Sequence, residues 1–487
     1  MFTAFDNFPA LLIWLPLIGG LLSFLLKKEG MARIVSLASS LLTLVVVVAS
    51  MIYAKPENAL LNQVSYVWLH GLGGSFSFLL DELTKTLCLL TAVIFPVVIL
   101  IVKKKHYKNE HNFFGLLMLT QCGLMGVFMA ADALVFYFFW ELALIPVYFL
   151  SSIWGGEKRI KATFKFFIYT FIGSLLLLIG ILYMHLLTED NSFSIVSFYR
   201  VQLTAQQQFG LFFLFFSAFA IKMPIVPFHT WQPDAYEQAP TPVTMVLSGV
   251  MVKMGVFGVI RWLLPLFPLA VKEFNGPIIL IISIGMIYAS LIAIKQDSIK
   301  RLIAYSSIAH IGLMAAGVFA LKEVAMQGVV LQMFNHGINI VALWVVADMI
   351  EKQTGVYKIS ELGGIATKAP VLSVFFVVAA MANIALPLTN AFVGEFMIFN
   401  GLFKYNPWIA ALAGVSIILS AVYTLNMIKN VLYGSTSSAA EGFVDAKFTH
   451  VIVFAVLVSF IIAIGIYPEP ILHLIEKASN IPLYPYK

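Results

Sequence analysis

Residues 218–243 read AFAIKMPIVPFHTWQPDAYEQAPTPV. The run just upstream, Phe209–Ala220, holds a single polar side chain, Ser217, so Lys222 enters a segment apolar enough to cross a membrane. Pro224 and Pro227 follow at once, and each removes a backbone donor and interrupts the i→i−4 ladder. A charge and an interrupted backbone at membrane depth are stable only against protein or a water-lined cavity. Lys222 is therefore a candidate ion-handling residue, Pro224 and Pro227 mark a helix break beside it, and the rest of the chain must supply its partners.

Composition places the chain in its class. It has 487 residues, 61% hydrophobic and 11% charged, with mean hydropathy +0.94, far more apolar surface than one soluble core consumes. Apolar stretches of spanning length predict an all-α polytopic membrane protein of about fourteen helices, near 9–27, 33–54, 79–102, 111–130, 132–154 and 162–187, then 209–236 (broken), 241–266, 276–294, 299–320, 324–350, 371–403 (broken), 408–433 and 449–474. The net charge of +6 is not a nucleic-acid signal, because its lysines and arginines are scattered through short loops. Counted by loop with the N-terminus outside, nineteen of the thirty fall on the inner side, including Lys27, Lys103, Lys104, Lys105, Arg301 and Lys429. Nine, including Lys55, Arg261 and Lys487, fall outside, which predicts both termini on the outer face. Only Lys222 and Lys253 are left within spans. The N-terminus lacks a basic leader and reads as an uncleaved first helix. Cys88 and Cys122 are isolated within spans; two thiols cannot hold an iron–sulfur cluster and read as packing residues.

No soluble domain interrupts 1–487, which reads as a single integral membrane domain. The segment NQVSYVWLH-GLGG within 55–78 reads as a hairpin or interfacial piece, and NSFSIVSFYRVQL within 188–208 as an amphipathic interfacial helix. A second broken span lies in VAAMANIALPLTNAFVGEFMIF, where Pro387 interrupts residues 378–399 and Glu395 follows. The broken spans, seventh and twelfth, are an odd five apart and so run in opposite directions. That is the spacing of an inverted repeat of five-helix units, the first near 111–266 and the second near 276–433.

Six ionisable residues sit centrally on six different helices: Glu141, Lys222, Lys253, His310, His336 and Glu395. A lone carboxylate such as Glu141 in DALVFYFFWELALIPVYFL is cheapest when protonated and hydrogen-bonded, unless Lys222 lies beside it. An opposite charge at about 4 Å, with effective dielectric near 20, is worth about 4 kcal/mol. Moving it away would loosen the lysine's proton, so the two form a candidate switch. Lys253 is too central to reach the headgroups, whereas Arg261 on the same helix can snorkel. His310 has Ser306 one turn earlier, and Gln332, Asn335, His336 and Asn339 form a polar stripe at i, i+3, i+4, i+7 that must face an interior. Either histidine alone is explained by interhelical hydrogen bonding; six such groups on six helices point to proton relay. Asp132 and Asp348 fall at span ends, and His185 near the outer end of the sixth span, all expected at the wetted interface. Asp297, Lys300 and Arg301 read as solvated loop charges.

Three segments together resemble a known family, the antiporter-like membrane subunits of respiratory complex I and of multisubunit cation/proton antiporters. They are FFWELALIPVYFL around Glu141, KMPIVPFHTWQPDAYEQAPTPVTMVLSGVMVKMG spanning Lys222 and Lys253, and DSIKRLIAYSSIAHIG around His310. Span number and order extend the likeness over nearly the whole chain. Glu395 resembles the M-type branch of complex I subunits (the mitochondrial subunit 4 type), since the L-type and N-type branches typically carry lysine there.

The resemblance implies a proton channel of two half-channels joined along a central polar axis in a proton-translocating NADH:quinone oxidoreductase of a bacterial inner (cytoplasmic) membrane. Glu141 would modulate Lys222, with Lys253, His310 and His336 as connecting groups and Glu395 as the exit-side or inter-subunit site. It implies a non-redox subunit with no cofactor of its own, FMN, iron–sulfur clusters and quinone belonging to other subunits. The implied partners are L-type and N-type neighbours, the lipid bilayer, protons and water, and no nucleic acid. The alternatives are a subunit of a multisubunit sodium/proton antiporter or membrane-bound hydrogenase, a haem- or quinone-binding electron carrier using the two histidines, and a stand-alone solute transporter.

Overall fold

The computed structural model describes residues 7–480 except 29, 54–61, 70, 72 and 103–106, and side chains only through 476. Lys55, Lys103, Lys104, Lys105 and Lys487, used in the charge count, lie outside the described residues. The elements in chain order are α1 (Phe8–Leu25), α2 (Met31–Tyr53), β1 (Gln63–Leu69), β2 (Gly74–Leu79), α3 (Glu82–Ile101), α4 (Glu110–Met129), α5 (Ala133–Trp154), α6 (Arg159–Leu186), α7 (Ile195–Arg200) and α8 (Ala205–Lys222). After them come α9 (Trp231–Gln238), α10 (Thr241–Leu266), α11 (Pro268–Ile294), α12 (Ile299–Phe319), α13 (Glu323–Thr354), α14 (Pro370–Asn383), α15 (Asn390–Tyr405), α16 (Pro407–Leu432), α17 (Phe448–Ile466) and α18 (Glu469–Asn480). Among the described residues, 12 helices are long and apolar enough to cross a membrane. The two expected spans outside that set are the interrupted ones, α8–α9 and α14–α15. Apart from the β1–β2 hairpin the described protein is helical, a polytopic α-helical membrane protein.

Several boundaries differ from the sequence reading for local reasons. Helix α11 begins at Pro268, not near 276, because Lys272 and Glu273 hide two helical turns from an apolar window. The last expected span stops at Ile466, ahead of Pro468, and a separate helix begins at Glu469. Of the segment 188–208, residues 195–200 form the short α7, capped by Ser194, and α8 already begins at Ala205. The hairpin does form, β1 pairing antiparallel with β2 from Gln63↔Leu79 to Leu69↔Gly74.

The chain divides into two compact units, one of residues 1–222 and 253–273 with the C-terminal tail, the other of 223–252 and 274–479. Helix α10 contributes to both, and two π-helical turns, Leu247–Met251 and Val259–Leu263, flank its Lys253 stretch. Within the first unit α4 is central, packed on α1, α3 and α5. Gly123 allows the approach to α5: a Cβ there would meet the backbone nitrogen of Ala143 at 2.5 Å. Asp132 is buried, not wetted, against expectation. It caps α5, its Oδ1 accepting from the N–H groups of Leu134 and Val135, and its Oδ2 accepts from Ser75 on β2. Burying a carboxylate is tolerable only with such acceptor bonds made. Arg261 pairs with Asp81, the N-cap of α3, where snorkelling was expected. His185 stacks on Phe193 at 3.8 Å.

Within the second unit α13 is central and buried along most of its length, packed on α12, α14 and α15. The loop charges, Asp297 exposed as expected, also find partners. Arg301 donates to Asp234 (3.0 Å) and Glu237 (3.3 Å), tying α9 to α12. Lys300 donates to Glu351, Lys352 to Asp348, and Ser360 to Asp297.

Candidate functional site

The candidate residues fall into two groups, one in each unit. In the first unit α8 ends at Lys222, and residues 223–230 form turns before α9 starts. The helix stops there because Pro224 and Pro227 cannot donate to the preceding carbonyls. Lys222 is buried, at 1% exposure, as is Lys253 on α10. Phe219, one turn before Lys222, sets the local packing. Its ring lies 5.9 Å from that of Trp140 on α5, and it occupies the place where a Cβ on Gly258 of α10 would fall.

Glu141 and Lys222 do not close the ion pair the sequence suggested. No N···O approach within 4.0 Å joins them. The Glu141 Oε1 has no hydrogen-bond partner, and the hydroxyl of Ser174 on α6 donates to the Phe171 carbonyl (3.0 Å). The Lys222 Nζ lies over the indole of Trp140, 5.4 Å from the ring centroid, with no hydrogen-bond partner. A buried ammonium over an aromatic face gains about 2 kcal/mol when desolvated, less than its desolvation costs. The lysine is thus held where a change in its surroundings acts strongly on its proton.

In the second unit α14 ends at Asn383 and α15 begins at Asn390. Pro387 lies between, flanked by two non-glycine residues in the left-handed region, Ala385 (φ 56) and Leu388 (φ 73). Such residues cost of order 1–3 kcal/mol each and persist only where the surroundings over-determine them. Two asparagines of α13 supply that support: the side-chain amide of Asn339 donates to the Ala382 carbonyl (3.2 Å) and that of Asn335 to the Asn390 carbonyl (2.7 Å). On α17, Gly465 leaves room for the break, since a Cβ there would meet the Leu388 carbonyl oxygen at 2.2 Å.

One turn into α15, Glu395 is buried at 4% exposure. Its Oε1 bonds the Nδ1 of His310 on α12 (3.0 Å) and accepts from the Gln332 amide on α13 (3.1 Å). The His336 ring lies 5.7 Å from that of His310. Below them Ser306 accepts from the Asn383 amide and the Tyr423 hydroxyl of α16, both at 3.0 Å. The break thus gathers His310, His336 and Glu395 into one buried polar cluster. A carboxyl bonded to an imidazole with a second imidazole close by can hold and pass a proton without exposing a charge to lipid.

The reading from sequence alone did not assign Ser174, Trp140, Asn383 or Tyr423. Asn383 carried a usable signal, as a polar residue four positions before an intramembrane proline. The others are ordinary residues of apolar helices, and only their neighbours distinguish them.

The family model described as NADH:quinone oxidoreductase/Mrp antiporter, TM, matches residues 130–420, which include all six candidate ionisable residues. The chain is 36% identical over 474 residues to NADH-quinone oxidoreductase subunit M of Rickettsia prowazekii, with 95% of each covered. It is 32% identical over 486 residues to F(420)H(2) dehydrogenase subunit M of Methanosarcina mazei, with 97% of each covered. Its fold matches a chain of the solved respiratory complex I from Thermus thermophilus with bound NADH at a TM-score of 0.90 and 27% identity, over 98% of this chain and 99% of that one. With a family model covering more than half of its length, and these relatives spanning nearly all of it, the chain belongs to the NADH:quinone oxidoreductase/Mrp antiporter transmembrane family.

Proposed function

We propose that this chain is the M-type antiporter-like subunit of a proton-translocating NADH:quinone oxidoreductase, coupling quinone reduction elsewhere in the complex to proton pumping. The observation that carries the reading is the buried Glu395–His310–Gln332 cluster at an interrupted helix, in a chain whose full-length relatives bear the name subunit M. In this reading Glu141 modulates Lys222: approach of the carboxylate favours the protonated lysine, and the separated arrangement described above favours release. Lys253, His310 and His336 serve as intermediate carriers, and Glu395 is the exit-side or inter-subunit site. The breaks at Pro224, Pro227 and Pro387 supply local mobility. The chain itself holds no redox centre; FMN, iron–sulfur clusters and quinone belong to other subunits. It sits between L-type and N-type neighbours in a bacterial inner membrane, with both termini outside.

The likeness to an F(420)H(2) dehydrogenase subunit favours a second reading, the same membrane module driven by a different electron donor. NADH-driven proton uptake by inverted membrane vesicles separates the two. In the same vesicles Lys222→Ala and Glu141→Ala are each expected to lose most of the pumping while the complex stays assembled. Wild-type pumping by either variant sinks the switch.

A further inference from the structure

A cavity of about 750 Å³ opens in the second unit, where the end of α11, the start of α12 and the end of α16 meet. That lies within the range of about 300–1,000 Å³ typical of small-molecule sites. Its charged lining residues are Lys295, just past the end of α11, Lys429 on α16, and Asp297. Asp297 is already engaged, accepting from the Ser360 N–H (2.8 Å) and hydroxyl (2.7 Å). Lys295 and Lys429 are exposed, and among the described residues neither has an ion-pair or hydrogen-bond partner. Asn426 and Asn430, also in the lining, likewise leave their side-chain amides unspent.

Each lysine also ends an exposed stripe of its own helix. On α11 the exposed Ile284, Tyr288 and Leu291 lead to Lys295, and on α16 the exposed Ile418, Val422 and Leu425 lead to Lys429. Both stripes have the spacing i, i+4, i+7, i+11, which keeps to one helix face. Eleven residues at 1.5 Å make each stripe about 16 Å long, and half the hydrocarbon core of a bilayer is about 15 Å deep. Two lipid-facing stripes, each one leaflet long, therefore finish in two cations that share one polar cavity.

We propose that this cavity is the headgroup site of a bound anionic phospholipid, its phosphate held by Lys295 and Lys429 and its acyl chains laid against the α11 and α16 stripes. Two unpaired cations beside one engaged carboxylate favour a negative ligand, and the free amides of Asn426 and Asn430 donate to phosphate or glycerol oxygens. Basic pockets between membrane helices recognise anionic headgroups by this chemistry. A lysine that merely snorkels to the interface needs neither a cavity nor a second cation at its side; here both are present. The stripes select lipid over a free anion, because only a lipid gains from the apolar faces that run up to the lysines. Bound there, the headgroup ties the end of α11 to α16.

The test uses the assembled complex, reconstituted into phosphatidylcholine vesicles that carry a trace of photoactivatable lipid. The probe has a diazirine in its acyl chain and either a phosphatidylglycerol or a phosphatidylcholine head, and labelled peptides of this chain are identified by mass spectrometry. Each lysine near the headgroups is worth about a fivefold gain for an anionic lipid. The pair therefore predicts that the phosphatidylglycerol probe labels the α11 and α16 peptides several-fold more than the phosphatidylcholine probe, and that unlabelled phosphatidylglycerol competes. Lys295→Ala with Lys429→Ala should bring the two probes level, while Lys295→Arg with Lys429→Arg should keep most of the preference. Equal labelling of the wild type by both probes overturns the site and leaves an ordinary lipid-facing surface. Labelling by neither probe overturns it as well, since a neighbouring subunit then covers both stripes. Displacement by inorganic phosphate as effective as by phosphatidylglycerol refutes lipid as the occupant. The wild-type comparison decides even where the alanine variant fails to assemble.

Discussion

Replacing Glu395 by glutamine or by leucine separates its proton from its hydrogen bonds. The buried carboxylate holds two partners through Oε1, His310 at 3.0 Å and Gln332 at 3.1 Å. Glutamine keeps the length of the side chain and a carbonyl oxygen for both. Each bond falls from the charge-assisted range of about 1.5–3 kcal/mol to the neutral range of about 0.5–1.5 kcal/mol, a loss of about 2 kcal/mol for the pair. Leucine leaves two buried donors without an acceptor, at about 1–3 kcal/mol each, or about 2–6 kcal/mol together. Native-gel assembly and the thermal inactivation midpoint of the purified complex read the stability side. Fluorescence-quench proton uptake in inverted vesicles reads the function. Glu395→Gln is expected to assemble, to inactivate at a slightly lower temperature and to lose most of its pumping; Glu395→Leu is expected to lose both stability and pumping. Glutamine with wild-type pumping refutes the proton role. Leucine as stable as glutamine refutes the hydrogen-bond accounting.

Three further perturbations test the scaffold. Asn339→Leu removes the donor to the Ala382 carbonyl at the break and is expected to cost about 1–3 kcal/mol, lowering the thermal midpoint more than the same change at the exposed Asn426; equal midpoints would show the carbonyl is satisfied otherwise. Asp132→Ala loses the α5 cap and the anchor of Ser75, an expected cost of about 2 kcal/mol, read as loosened protease resistance of the β1–β2 hairpin. Asp445, in the loop before α17, accepts from the backbone N–H groups of Val371 and Leu372 at the start of α14. Partial burial works to raise its carboxyl, but the N–H groups of Leu372, Val371 and Ala446 outweigh it and hold it below the usual carboxylate range. Its stabilising contribution is therefore full above the ordinary carboxylate value and is lost as pH falls through the lowered one. Asp445→Asn should flatten that acidic dependence, and an unchanged acid profile would count against the cap.

Much of the candidate site was legible because the membrane makes polarity expensive. Glu141, Lys222, Lys253, His310, His336 and Glu395 stand out in apolar helices, where each needs a reason. The stripe of Gln332, Asn335, His336 and Asn339 announced an inward face by spacing alone. What that face does was not legible: two of its members hold the carbonyls of a helix break some fifty residues away in sequence, and one holds Glu395. Charges at the span ends misled for the opposite reason. Arg301, Arg261, Asp132 and Asp348 look solvated by position, yet each finds a partner on another segment or one turn away.

Apolar length and proline placement already specify the class, most of the helix positions, the two breaks at Pro224–Pro227 and Pro387, and the set of ionisable groups. Those follow from local facts, apolar length and the missing donor of proline, that no neighbour can alter. Only packing places Lys222 over Trp140 with the Glu141 Oε1 left without a partner, and gathers His310 and Gln332 on Glu395. Packing likewise brings the Tyr423 hydroxyl of α16 to Ser306, one turn before His310. These are matters of ångströms between residues far apart in the chain, set by how helices pack, and hydropathy carries no record of them.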